Sequence, residues 1–309
     1  MKQQTERLVE DYIQSLNMDG LAGRMLYIPG PKTKRREILL VYGHHSSLER
    51  WWGLAQSLQK YGALTMPDLP GFGGMDSLYK HGEAPTIDAL ADYLAAFIKL
   101  RYRHKKVTIV GVSFGFVVVT RMLQRCPELI KKVDGLVSIV GFARYDDFTL
   151  APARRFGYVY GSWFLSHRLP AFFFKQMCLQ PWILRLIYGQ VTPQTGQPVD
   201  AAQRRLLVNA EVALWRTNEV RTHMRTTFEF LRLDNCQKQI GLPLWHVSVP
   251  ADHYFDSHVV EQHLRVIFSD VRVFPSKLVG HVPNVIASLE MTDPILPPAL
   301  RRLLAKASV

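Results

Sequence analysis

The chain has 309 residues, enough to bury one large α/β core or two modest ones. An apolar share of 48% with 21% charged residues excludes wholesale disorder. The net charge of +12 invites an anionic partner, but the basic residues are scattered. The short clusters at 32–36 and 101–106 lack the interleaved aromatics and glycines of an RNA-binding surface, so no nucleic-acid partner is expected.

The first sixteen residues, MKQQTERLVEDYIQSL, contain no apolar core of the secretory type, and a cytoplasmic protein is expected. Leu8, Val9, Tyr12, Ile13 and Leu16 recur at helical spacing and predict a short amphipathic helix. Strands are then predicted at 24–28 and 37–43, a helix at 46–61, a strand at 63–68 and a helix at 87–102. VTIVGV (107–112) is a continuous β-branched run of the kind buried in parallel sheets. A helix from 114 follows it and stops before Pro127; GLVSIVGF (135–142) is another buried strand. From 144 to 235 only helical patterns appear, one with Val220, Met224, Phe228 and Leu231 on a single face. The β-α rhythm resumes with strands at 243–249 and 270–275 and helices at 257–268 and 285–305.

This alternation predicts an α/β fold: a mostly parallel central sheet with helices on both faces. The core is expected at 1–143 and 236–309, with a helical cap (144–235) inserted between two core strands. Cys126, Cys178 and Cys236 fit neither a disulfide framework nor a zinc site and are expected as small buried hydrophobes. No run reaches the ~18 apolar residues that span a bilayer.

Gly111-Val112-Ser113-Phe114-Gly115 stands where a buried strand turns into a buried helix, the context that gives G-x-S-x-G its chemical meaning. A serine there sits on a strained turn, with the N–H groups of the helix start beside any oxyanion that develops. A hydroxyl attacks well only when a base removes its proton and a third group orients that base. His281, after the last strand, is the candidate base, since functional residues of open α/β sheets gather at that edge. Asp252, after 243–249, is the candidate acid; Asp146 and Asp147, after the preceding strand, remain alternatives. Asp256 reads as a helix N-cap, and His253, His258 and His263 as surface or helix residues.

With these motifs in view, residues 37–290 resemble the α/β-hydrolase superfamily. The likeness is carried by LLVYGHHSS, MPDLPGFGGMDS, the serine turn, CPELIKKVDGLVSIVG, ADHYFD and LVGHVPNV, in family order. It implies an oxyanion hole from the backbone N–H groups of Phe114 and His44, with His45 and Phe116 against the substrate. Tyr42 departs from the family's usual histidine, and Phe116 from its usual glycine or alanine, which predicts a narrowed pocket floor. His44 and His45 have no third ligand at metal spacing; no metal and no cofactor are expected.

The expected activity is hydrolysis of an ester or thioester with an apolar acyl part. The enzyme alternative is carbon–carbon bond hydrolysis with the same triad, and the alternative of another class is a non-catalytic binding protein on a hydrolase fold. Bulky residues crowd the cap: Trp163, Phe164, Leu165, Phe172, Phe173, Phe174, Trp182, Ile183 and Leu184. Most are expected to form its own small core. Others would line an acyl pocket or, beside Arg168, Lys175 and Arg185, make weak peripheral contact with a membrane.

Overall fold

The structure is a computed structural model and describes residues 9–190, 201–278, 281, 292 and 294–306. In chain order it forms β1 (Ile13–Met18), β2 (Leu21–Ile28), β3 (Glu37–Val41), α1 (Trp52–Gln59), β4 (Ala63–Pro67) and α2 (Ile87–Arg101). Then come β5 (Val107–Val112), α3 (Phe114–Arg125) and β6 (Val133–Ile139). Five helices follow: α4 (Pro152–Leu165), α5 (Arg168–Cys178), α6 (Pro181–Gln190), α7 (Ala201–Thr217) and α8 (Val220–Phe230). The described chain ends with β7 (Ile240–Ser248), α9 (Ser257–Ile267), β8 (Phe268–Pro275) and α10 (Pro298–Lys306).

One eight-stranded sheet runs β1-β2-β4-β3-β5-β6-β7-β8. The β1–β2 and β2–β4 pairs are antiparallel and every other pair is parallel. This is the α/β architecture expected from the alternation. Every residue of β5 is buried, so both faces of the sheet are covered at its centre. Strand order reverses between β3 and β5, which places a crevice beyond their carboxyl ends, where ligands of open α/β sheets bind.

The N-terminus corrects the sequence reading. In place of an amphipathic helix there is a single 3₁₀ turn, Val9–Tyr12, and then β1. Met18 pairs with Leu21 across a two-residue loop, Asp19-Gly20, in which both φ angles are positive (51° and 74°). Asp-Gly at such a loop matches the strand twist and closes a hairpin, and that local preference overrides a five-residue helical pattern.

Helices α4–α8 lie in the chain between β6 and β7. They carry a small apolar cluster of their own, Ala171, Leu179, Leu184, Val212 and Val220. The insertion is tied to the loop after β4: Gly73 donates to Asn218 Oδ1 (2.7 Å), Glu219 to the Gly71 carbonyl (2.8 Å), and Ser77 and Thr222 share a bond of 2.7 Å. Among the described residues no helix is long and apolar enough to cross a membrane.

Two further expectations fail. The three cysteines are free, but Cys178 is exposed and Cys126 and Cys236 are only half-buried. The bulky residues of the insertion mostly do not form its core: Trp163, Phe164, Phe172, Phe173 and Trp182 are exposed, and of that crowded set only Leu184 is fully buried. Of the helix expected at 285–305, residues 285–291 and 293 lie outside the described residues; α10 begins at Pro298, a residue suited to a first helical turn.

Candidate active site

The serine turn is built by close packing. A Cβ at position 111 would sit 2.6 Å from the Phe116 Cα, and one at 115 would sit 2.3 Å from the Val41 carbonyl oxygen, so strand, turn and helix meet here only through glycine. Ser113 adopts φ 48°, ψ −119°, a strained conformation for a residue with a side chain, and its N–H is anchored on the Ile139 carbonyl at 2.9 Å. It immediately precedes α3, where the Phe116 N–H bonds the Ser113 carbonyl at 3.0 Å and the helical pattern supplies no acceptor for the N–H groups of Phe114 and Gly115.

His281 follows β8, and its Nδ1 lies 2.6 Å from Asp252 Oδ2. The other carboxylate oxygen accepts the N–H groups of Tyr254 (2.8 Å) and Phe255 (3.4 Å). Burial alone would raise the Asp252 pKa; the bond and charge of His281 and the two N–H donors outweigh it and hold the carboxyl below its usual value. Asp252 therefore stays ionised and fixes the ring with Nε2 as the remaining basic nitrogen. Rings of Tyr254 (5.2 Å) and Phe255 (5.5 Å) pack against the imidazole.

The alternative acids are otherwise engaged. Asp147 is fully buried, accepts the N–H groups of Ala143 (2.6 Å) and Arg144 (2.9 Å), and faces His263 Nδ1 at 2.5 Å. His263, expected as an ordinary helix residue, is thus half of a structural pair. Asp146 pairs with Arg144. Asp146, Asp147 and His263 also bring three ligand atoms within 4.8 Å of one another, but each is already committed to these partners or to backbone. Asp256 caps α9 through the N–H groups of His258 and Val259.

Ser113 and His281 line one cavity of about 240 Å³. His44, His45, Arg50, Phe114 and Tyr254 share its lining with an aromatic wall of Phe142, Phe148, Phe230 and Phe255. In that wall Phe142 stacks on Phe255 (4.8 Å, 20°) and Phe148 on Phe230 (5.7 Å, 16°). Phe116 is not part of the cavity. It is wholly buried beneath the turn, 5.9 Å from the Phe268 ring, so the expectation of a pocket floor at Phe116 is corrected. As the third residue of α3 it points into the core, where Phe268, the first residue of β8, packs against it.

The loop after β3 has its own supports. Tyr42 donates to the buried Asp68 at 2.7 Å, and Arg24 Nε reaches the same carboxylate at 3.2 Å. Burial drives the Asp68 pKa up to about 8 against the pull of Arg24 and Tyr42. His44 Nε2 lies 2.8 Å from Thr226 Oγ1, whose own proton is directed to the Thr222 carbonyl at 2.8 Å, so Nε2 is the donor. The His44 and His45 rings crowd His223 at 4.3 and 4.8 Å. Burial, and then the neighbouring imidazoles, hold both well below the usual histidine pKa; burial takes His223 to about 4. Glu211 binds Arg50 and lies 3.8 Å from His45 Nε2.

Sequence reasoning missed His223, Thr226 and Phe230. It noted only the apolar stripe of Val220, Met224, Phe228 and Leu231, whereas residues 223, 226 and 230, at i, i+3 and i+7, turn toward His44 and the cavity. The polar residues at that spacing were the available signal.

A family model described as alpha/beta hydrolase fold matches residues 37–175. Solved structures resemble most of the chain. A membrane phospholipase A, described as a bacterial virulence factor, superposes with TM-score 0.62 at 16% identity, covering 95% of this chain and 84% of its own. A thermophilic esterase from Thermogutta terrifontis gives 0.59 at 16%, covering 96% and 98%. An esterase from Exiguobacterium antarcticum gives 0.63 at 15%, covering 87% and 91%. No curated protein matches by sequence. The family match over 37–175 and the likeness to these solved structures together show that this chain has the α/β-hydrolase fold.

Proposed function

We propose that this protein is a serine hydrolase that cleaves a carboxylic ester or thioester with an apolar acyl part. The observation that carries this reading is the 2.6 Å contact of His281 Nδ1 with Asp252, made while His281 and Ser113 line the same cavity. Ser113 Oγ attacks the carbonyl carbon and passes its proton to His281 Nε2. The carbonyl oxygen takes the negative charge and is held by the backbone N–H groups of Phe114 and His44. Collapse of the tetrahedral adduct breaks the ester bond, and the leaving alcohol or thiol takes the proton from His281. Water, deprotonated by the same imidazole, then attacks the acyl-serine and releases the acid. Asp252 stabilises the imidazolium in both halves.

The aromatic wall supports an apolar acyl group, as does the identity of the esterases and phospholipase that share the fold. Each methylene buried against such a wall stabilises the bound chain by about 0.8 kcal/mol, roughly fourfold in kcat/KM. A series of p-nitrophenyl esters tests this. Activity should rise from acetate to medium acyl chains and fall once the cavity is full. A flat profile, or a maximum at acetate, would remove the apolar acyl assignment.

A further inference from the structure

Helix α4 is packed the reverse way round from a helix in a globular core. The face at 155, 159, 162 and 166, spaced i, i+4, i+7, i+11, is the one turned inward, and its most buried members are Ser162 and Ser166. Phe156, Trp163 and Phe164 face outward, Phe156 at 63% exposure. The next two helices repeat the pattern: in α5 Ala171 is buried and Phe172 and Phe173 are exposed, and in α6 Leu184 is buried while Trp182 is 66% exposed. Large apolar residues concentrated in this way on a surface mark an interaction site.

The charge pattern says what kind of partner fits. From residue 148 to 199 the sequence contains no aspartate or glutamate, while it carries Arg154, Arg155, Arg168, Lys175 and Arg185. Four of the five, all but the half-buried Arg155, are exposed, and none of those four forms an ion pair among the described residues. What sets the segment apart is its lack of acids, since elsewhere acids stand near to pair with arginines: Arg24 meets Glu49 and Asp68, Arg125 meets Asp88 and Asp92, Arg265 meets Glu261. A second copy of the chain would set this cationic face against itself with no acid to neutralise it. Exposed tryptophan and phenylalanine among unpaired arginine and lysine are instead matched by the interfacial zone of an anionic bilayer, which takes aromatic rings at the headgroup level and basic side chains at the phosphates.

We propose that α4, α5 and α6 form a membrane-docking face that binds the surface of an anionic phospholipid bilayer without crossing it. The face begins beside the cavity. Phe148, in the cavity wall, lies just before α4, and Thr149 is held to the carbonyls of His253 and Tyr254 (3.0 and 3.3 Å), next to the Asp252–His281 pair. The proposal is independent of the reaction assigned above, because it is read by binding.

The test is sedimentation of the full-length protein with vesicles of phosphatidylcholine alone and of phosphatidylcholine mixed with phosphatidylglycerol. Binding is expected only, or at least ~10-fold more tightly, with the anionic vesicles, since each basic residue near such a surface strengthens binding about fivefold. Arg168→Glu/Lys175→Glu/Arg185→Glu should lose roughly 100-fold on them. Trp163→Gln/Phe172→Gln/Trp182→Gln should lose at least ~10-fold, because interfacial binding scales with the apolar area inserted. All six side chains are exposed, so circular dichroism and turnover of a short soluble ester should be unchanged in both variants. Failure of the wild type to bind anionic vesicles would overturn the proposal, as would binding that neither variant weakens. A dimer in sedimentation velocity that the aromatic triple substitution dissociates would assign the face to a second copy instead.

Discussion

Helices α3 and α4 carry similar loads of aromatic and aliphatic side chains and are handled in opposite ways. In α3 every residue from Phe114 to Thr120 is buried, and the polar Arg121 and Arg125 are left to pair with Asp88 and Asp92 on α2. In α4 the single fully buried residue is Ser162, and the aromatic rings stand outside. Apolar content therefore does not by itself report burial in this chain. The sheet and α3 use it to fix the geometry of the serine turn; the insertion carries it on a surface. With Ser113 proposed as nucleophile and the insertion as docking face, chemistry belongs to the first region and contact to the second, and on that account substitutions in the two should separate cleanly.

The largest separation is in turnover. Ser113→Ala and His281→Ala should each lower kcat on a soluble ester by several orders of magnitude, about 10⁶-fold where such a triad acts as a unit, with the fold retained by circular dichroism. Asp252→Asn should cost roughly 10⁴-fold, because an amide leaves the imidazole in the wrong tautomer. Asp147→Asn should spare turnover and lower stability by about 1–3 kcal/mol, since it disturbs a buried carboxylate with three partners. Steady-state kinetics and urea unfolding of these variants separate the Asp252–His281 pair from the Asp147–His263 pair. A large kinetic loss in Asp147→Asn with Asp252→Asn nearly silent would exchange their roles.

The next contrast is in stability. Phe116→Ala opens a cavity in the packed core against Phe268 and should cost about 3–5 kcal/mol. Phe172→Ala, at an exposed ring, should fall within about 0.5 kcal/mol of wild type. Comparable losses at both positions would mean that the insertion's aromatic rings are buried against something in the free protein.

Much of the core was legible in the sequence because its signals are local and redundant. The run VTIV before Gly111-Val112-Ser113-Phe114-Gly115, and the alternation of strands and helices, specify a mostly parallel sheet and the serine's place at the end of a buried strand through sterics that a single sequence displays; the strand order is seen only in the fold. The Asp19-Gly20 hairpin was also written there, but a weak helical periodicity in the preceding residues competed with it. Phe116 was misread because position alone does not tell whether a residue next to the serine turn faces the cavity or the core; the covering of β8 decides that. Spacing could not decide between Asp252 and Asp147 as the partner of His281. That depends on which loop reaches which imidazole in three dimensions.

A smaller effect concerns pH. His223, facing the site, and His246, buried in β7 against Ser138, are both held at about 4 by burial. Their folded pKa values lie below the unfolded value, so the unfolded chain binds more protons between about 6.5 and 4, and stability is lost as pH falls through that window. His44 and His45, also lowered, act in the same direction, while Asp68, raised to about 8, opposes them. Urea midpoints should fall from pH 7 to pH 4, each of His223 and His246 contributing on the order of 3 kcal/mol, and His246→Gln should flatten the profile. A midpoint that rises on acidification would show that the buried carboxylates outweigh the histidines.

The most direct measurement of the central claim is covalent. Wild-type protein treated with a fluorophosphonate probe, digested and read by tandem mass spectrometry should carry one adduct, on the oxygen of Ser113. Labelling should vanish in Ser113→Ala, slow by orders of magnitude in His281→Ala and stay unchanged in Phe172→Ala. Absence of an adduct at Ser113, together with ester turnover that survives Ser113→Ala, would contradict the account.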